Sequence, residues 1–295
     1  MPRSLLGISL SFLAVVFGVL TGVLVKQLGS DVNIITALFY RFLFSLPFLF
    51  LFAVYVRGRY FLHINQRRIM LFRVIFGFCG ITFWFLSLRH LPLGMATALF
   101  QSSVIFITLL SPIFLGEKVG LYRWSAVLAG LSGVLIITDP FSGDMSWYFL
   151  YGIAAALAGA VLSLLLRQLG KGDAPVSVAI WYNLFGFAAL SMLVLIRPEQ
   201  LYPISQPVMI DLILLGMIGA GLQIVLTTAY RHSDAVVVAS MRYLQMPVSG
   251  VVGYSLFAEV MSHREIIGAL IIISSCLVIA WRELVRSREV NQPGI

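Results

Sequence analysis

Apolar runs about 20 residues long, the length a helix needs to cross a bilayer core, follow one another along this chain. They fall near residues 5–25, 34–56, 69–88, 94–115, 121–138, 147–166, 176–196, 208–230, 235–257 and 266–281. Only 11% of the 295 residues are charged and 60% are hydrophobic. A soluble domain carries about 25% charged residues, so this chain lacks the polar surface that water-facing elements need. An apolar solvent removes that difficulty, and the bilayer is such a solvent. The expected fold class is an all-α integral membrane protein with ten transmembrane helices.

The connections fit that reading. Gly29-Ser30-Asp31, Asp139-Pro140-Phe141-Ser142-Gly143-Asp144 and Arg197-Pro198-Glu199 are turn chemistry, and no stretch between runs is long enough for a soluble domain. The first run follows Arg3 as a signal peptide would. It exceeds the h-region of such a peptide and ends at Lys26 without a small-residue cleavage site, so it reads as a first span.

The net charge of +8 would raise nucleic-acid binding in a soluble protein. Here the cations sit in short links between spans, where they orient the chain, and nucleic acid is excluded as a partner. With the N-terminus cytoplasmic, thirteen of the 20 Lys and Arg residues fall on the cytoplasmic side. Lys26, Arg89, Arg197 and Arg264 fall outside, and Arg41, Arg73 and Arg242 lie within spans. Both termini are expected inside a bacterial cytoplasmic membrane. Cys79 and Cys276 lie apart in apolar runs, with no metal or haem spacing. No cofactor and no metal are expected.

An internal repeat divides the chain. Phe39-Tyr40-Arg41 returns 142 residues later as Trp181-Tyr182-Asn183, Arg89-His90 as Arg231-His232, and Glu117 as Glu259; Lys26-Gln27-Leu28-Gly29 returns after 141 as Arg167-Gln168-Leu169-Gly170. The units are residues 1–141 with helices 1–5 and residues 142–282 with helices 6–10, followed by a polar cytoplasmic tail at 283–295. Five crossings are an odd number, so the second unit should lie upside down relative to the first. Two inverted five-helix repeats give two similar states, one open to each side, around a site near the midplane.

The chain resembles the EamA-type carriers of the drug/metabolite transporter superfamily. The motifs are Phe39-Tyr40-Arg41-Phe42 in helix 2, Leu88-Arg89-His90-Leu91-Pro92 leading into helix 4, and Pro112-Ile113-Phe114-Leu115-Gly116-Glu117 closing it. The second copy departs at Asn183, where the first has arginine, and at Ala258, where glycine is usual before the glutamate. The resemblance implies a transport role, with substrates ranging over amino acids, vitamins, nucleoside-like metabolites and drugs.

Polar groups in hydrocarbon are costly and mark function. Arg242 is followed by Gln245 and Ser249 at i+3 and i+7, a cation, amide and hydroxyl on one helical face. Such a stripe suits a carboxylate or phosphate, or a network joining the halves. Arg41 lies about 10 Å into helix 2 and faces protein or cavity, with Asp211 a possible partner. Arg73 is about one turn from a helix end and is positioned to snorkel. Helix 4 carries Thr97, Gln101 and Thr108 on one face, helix 8 carries Gln223, Thr227 and Tyr230, and helix 3 carries Gly77, Gly80 and Trp84. Small-residue stripes make helices 1 and 6 packing partners. Glu117 and Glu259 close helices 4 and 9, where the dipole disfavours them. Lys118 or Arg123, and Arg264, are the expected counter-charges. The candidate substrate-binding residues are Arg242, Gln245, Gln101, Trp84, Gln223, Tyr243, Arg41 and Tyr182.

An enzyme buried in the membrane would need paired acids, a Ser–His pair or a metal cluster within spans. The 12 acidic residues and His63, His90, His232 and His263 lie in links or near helix ends instead. The expected function is secondary transport of a small carboxylate-bearing metabolite, an amino acid for example, by export. The alternative is uptake of a vitamin or nucleoside-like compound such as riboflavin or S-adenosylmethionine. The partners are that small molecule and the bilayer, for a monomer or homodimer.

Overall fold

The fold is described from a computed structural model covering residues 3–29, 32–115, 121–138, 146–201, 204, 206–232, 238 and 242–291. Regular structure among the described residues is helical. The elements are α1 (Arg3–Gln27), α2 (Ile34–Arg57), α3 (Arg67–His90), α4 (Leu93–Gln101), α5 (Ser103–Leu115), α6 (Leu121–Thr138), α7 (Phe149–Gly172), α8 (Pro175–Ile196), α9 (Gln206–His232), α10 (Gln245–Phe257) and α11 (His263–Asn291). Short 3-10 turns at Gly58–Tyr60 and Pro198–Gln200 follow α2 and α8. Seven helical segments are long and apolar enough to cross a membrane, and α6 adds the shorter apolar stretch Trp124–Ile137. Large apolar side chains such as Tyr55, Leu121 and Leu195 point outward, as a lipid-facing surface requires.

Three expectations change. The run at 94–115 is two helices, because the chain turns at Ser102 between α4 and α5. The ninth run also breaks, with Tyr243 and Leu244 in a turn before α10. The last helix continues to Asn291, so residues 283–291 of the expected tail are helical.

The main helix pairs each join one repeat to the other. α1 lies along α9, α3 along α7, α2 against α8 and α9, α4 against α10, and α6 against α11. Lipid gives no hydrophobic drive between helices, so close contact must come from shape. At the α6–α11 crossing, a Cβ on Gly133 would stand 2.8 Å from the Gly268 carbonyl oxygen. A Cβ on Gly216 would meet the Phe44 side chain. The stripes of α1 and α7 do not serve one another. Gly18 receives Gln245, and Gly159 receives the Phe100 ring.

Links gather at two ends. At one, Lys26 is paired with Glu259, and Glu259 accepts a hydrogen bond of 2.7 Å from the Leu93 amide at the start of α4. Glu259 thus favours the positive end of a second helix dipole, and its counter-charge is Lys26 rather than Arg264. Arg89 donates to the Val32 carbonyl, and Asn33 to that of Gln200 at 2.6 Å. At the other end, the Asn65 amide donates to Asp173 at 2.6 Å and the Trp181 indole to the Leu62 carbonyl at 2.7 Å. Glu117 and Lys118 lie outside the described residues.

Candidate functional site

A cavity opens where α1, α2, α3, α4, α7, α8, α9 and the segment leading into α10 converge. Arg41, Tyr182, Trp84, Gln223, Arg242 and Gln245 line it, together with Phe100, Tyr230 and Gly77. Six of the eight candidate residues therefore meet at one place. No carboxylate is among the described lining residues. The cavity holds about 120 Å³, less than the roughly 300–1,000 Å³ of small-molecule pockets.

Arg41 reaches the cavity from α2 with only 1% of its surface exposed. Room for its guanidinium comes from Gly219, where a Cβ would stand 3.1 Å from Arg41 Nε. Its Nε and Nη1 have no hydrogen-bond partner, and no ion pair to Asp211 forms among the described residues. Arg242 enters from the ninth run with its guanidinium carbon 5.0 Å from the centre of the Phe100 ring. Phe100 in turn packs on Trp84 with ring centres 4.7 Å apart. Cation and aromatic wall are thus one surface, the ring faces attracting positive charge.

Arg73 lies behind two of the lining residues, Tyr182 and Gln223. Its depth from the helix end suggests snorkelling, yet the structure buries it fully and turns it inward. The guanidinium stacks 3.9 Å from the Tyr182 ring centre and donates from Nη2 to Gln223 Oε1 at 2.8 Å. The space exists because Gly77, one turn further along α3, has no side chain; a Cβ there would meet Arg73 Nη1 and stand 2.9 Å from Tyr182. The spacing Arg73-x-x-x-Gly77 was the available signal. A guanidinium only donates, so it fixes the Gln223 amide with oxygen toward Arg73. The Gln223 amine is the end left for a ligand.

Other candidates lie elsewhere. Gln101 at the end of α4 donates to the Arg242 carbonyl, joining the two broken spans. Tyr243 is buried in the hydrophobic core at that break. Thr97, Thr108 and Thr227 donate their hydroxyls to carbonyls four residues back and are not among the described lining residues. Ser249 is buried outside the lining with its hydroxyl unpartnered. Trp181 faces a separate pocket near the Asn65–Asp173 contact.

A helical fold with seven segments able to cross a membrane, around a cavity that arginine and glutamine side chains enter between aromatic rings, fits a multi-pass membrane transporter. The profile of the EamA-like transporter family matches residues 5–139 and 146–281, and the chain belongs to that family. It is 30% identical over 258 residues to a riboflavin transporter of Rhizobium johnstonii, covering 85% of this chain and 80% of that protein. It is 28% identical to an S-adenosylmethionine uptake transporter of Rickettsia bellii, over 94% of each chain. Identity to the pseudopaline exporter CntI of Pseudomonas aeruginosa is 26%, over 72% of this chain and 74% of that one. A crystal structure at 16% identity superposes with a TM-score of 0.67 over 97% of this chain and 99% of the other, a likeness of fold. These relatives are transporters, not enzymes.

Proposed function

We propose that the protein is a secondary carrier in a bacterial cytoplasmic membrane for a small metabolite joining an anionic group, a carboxylate above all, to a flat ring. The carrying observation is a cavity whose described lining residues include no acid and in which guanidinium groups without ionic partners among the described residues adjoin aromatic side chains. A unit charge 4 Å from a guanidinium gains about 4 kcal/mol at an effective dielectric of 20. An uncompensated buried cation is costly, so an anionic substrate supplies what the protein omits. Arg41 and Arg242 take the anion, the Gln223 and Gln245 amides orient its polar atoms, and Trp84 and Tyr182 bound its ring.

Alternating access follows if the repeats are inverted. Contacts between links support this. Residues 26, 89, 93 and 259 share one end, whereas residues 65 and 173 share the other. The distribution of basic residues supports cytoplasmic termini. The described lining residues include no carboxylate to relay protons, which supports transport on the substrate gradient or by exchange. Vesicles accumulating substrate on a pH step alone would contradict that mechanism.

An aromatic amino acid has both required parts, and its export is one direction the carrier can run. Uptake of a vitamin or nucleoside-like metabolite is the second reading. It is supported by the relatives named for riboflavin and S-adenosylmethionine, whose heterocycles suit the aromatic wall. Metabolite profiles inside and outside cells with and without the protein distinguish the two. In reconstituted vesicles, Arg242→Ala should abolish transport of a carboxylated substrate while thermal unfolding remains cooperative. Unchanged uptake by that variant would refute the assignment.

A further inference from the structure

A second pocket, of about 500 Å³, lies between the 61–66 link and the outer faces of α3 and α8. It is graded along its depth. His63 and Arg67 stand at the mouth, Met70 forms the buried floor, and Trp181, Leu71 and Phe185 form apolar walls. Trp181 and Phe185 are six and ten residues after the start of α8 at Pro175, about 9 and 15 Å along the helix. The mouth is held rigidly, since Asp173 accepts from the Asn65 amide at 2.6 Å and the Leu62 carbonyl accepts from Trp181 at 2.7 Å. Arg67 is exposed and makes no hydrogen bond or ion pair among the described residues. Leu71 and Phe185 are 54% and 43% exposed, so the apolar walls open sideways into the membrane.

We propose that this pocket holds one anionic phospholipid, its phosphate on Arg67 and its acyl chain along Leu71 and Phe185, wedged where the first repeat's α3 meets the second repeat's α8. A free phosphate would use the mouth and leave the apolar walls empty. A zwitterionic lipid would fill the walls, but its own ammonium offsets the phosphate charge that Arg67 attracts. A basic pocket between spans at the membrane surface selects acidic headgroups, and an indole at the same level is at home in the interface.

The test counts lipids retained by the purified full chain in neutral detergent, using native mass spectrometry. Phosphatidylglycerol, phosphatidylcholine and glycerol 3-phosphate are offered separately. Phosphatidylglycerol should be retained about fivefold over phosphatidylcholine, the preference one basic residue gives at a membrane surface. Glycerol 3-phosphate should not be retained. Arg67→Gln should remove the preference, and Arg68→Gln, exposed one residue along but outside the pocket, should keep it. The proposal is overturned if the two phospholipids bind equally to the native chain, if Arg67→Gln keeps the preference, if Arg68→Gln loses it equally, or if glycerol 3-phosphate is retained. No transported substrate enters the count, so its failure leaves the carrier reading intact.

Discussion

Arg73 acts on the cavity without lining it. By holding Gln223 Oε1 at 2.8 Å and stacking on Tyr182, it sets the donor pattern that the proposed anionic substrate would meet. A hydrogen bond to a charged group contributes about 1.5–3 kcal/mol, which corresponds to roughly 10–100-fold in an equilibrium constant. Arg73→Ala should weaken substrate binding by at least about tenfold. Arg73→Lys should fall between, because lysine keeps the charge and loses the planar stack. Binding titrations on purified protein measure this; an unchanged Kd for Arg73→Ala would remove its role. The cavity's cations were legible at Arg41 and Arg242 because charge deep in an apolar run is conspicuous. Arg73 was not, because helical depth says nothing of direction. Only the glycine four residues on tells where the guanidinium has room.

The broken spans carry the consequences of single elements. Gln101, Ser102 and Ser103 form a polar step inside an apolar run, and Ser102 gives its hydroxyl to the Leu99 carbonyl at 2.6 Å. The opposing break leaves the Arg242 carbonyl to be satisfied by Gln101. Gln101→Leu should therefore destabilise the protein by about 1–3 kcal/mol, the penalty for a buried unsatisfied polar group. It should show as a lower unfolding temperature in detergent, and an unchanged temperature would deny the bond its importance. After α10, Ala258 has φ 51°, a left-handed conformation costing a non-glycine residue about 1–2 kcal/mol. That geometry returns Glu259 to α4. Ala258→Gly should raise the unfolding temperature with the Lys26–Glu259 pair intact; a lower temperature would show that the conformation is unstrained. The runs announced ten spans by hydrophobicity, but hydropathy is blind to breaks made without glycine or proline. For the same reason Thr97 and Thr108 share Gln101's face in the sequence yet bond their own helix.

Across the whole molecule, the most extensive helix pairs among the described residues join the two repeats, so each half is packed chiefly against the other. The repeat was visible in the sequence through recurring pairs such as Arg89-His90 and Arg231-His232. The chemistry is less symmetric than the packing. Arg41 stands where the second copy has Asn183, and Arg242 where the first has Phe100. Likeness of packing suits the two states proposed above, while unlike side chains bring Arg41 and Arg242 to one cavity. This account depends on the two halves running in opposite directions through the bilayer. Single cysteines at Gln27 and Lys171, both exposed, in a chain whose Cys79 and Cys276 are replaced by serine, report on that directly. An impermeant maleimide applied to intact cells should label Gln27→Cys and spare Lys171→Cys until the membrane is opened; labelling of both from the same side would contradict the inverted arrangement.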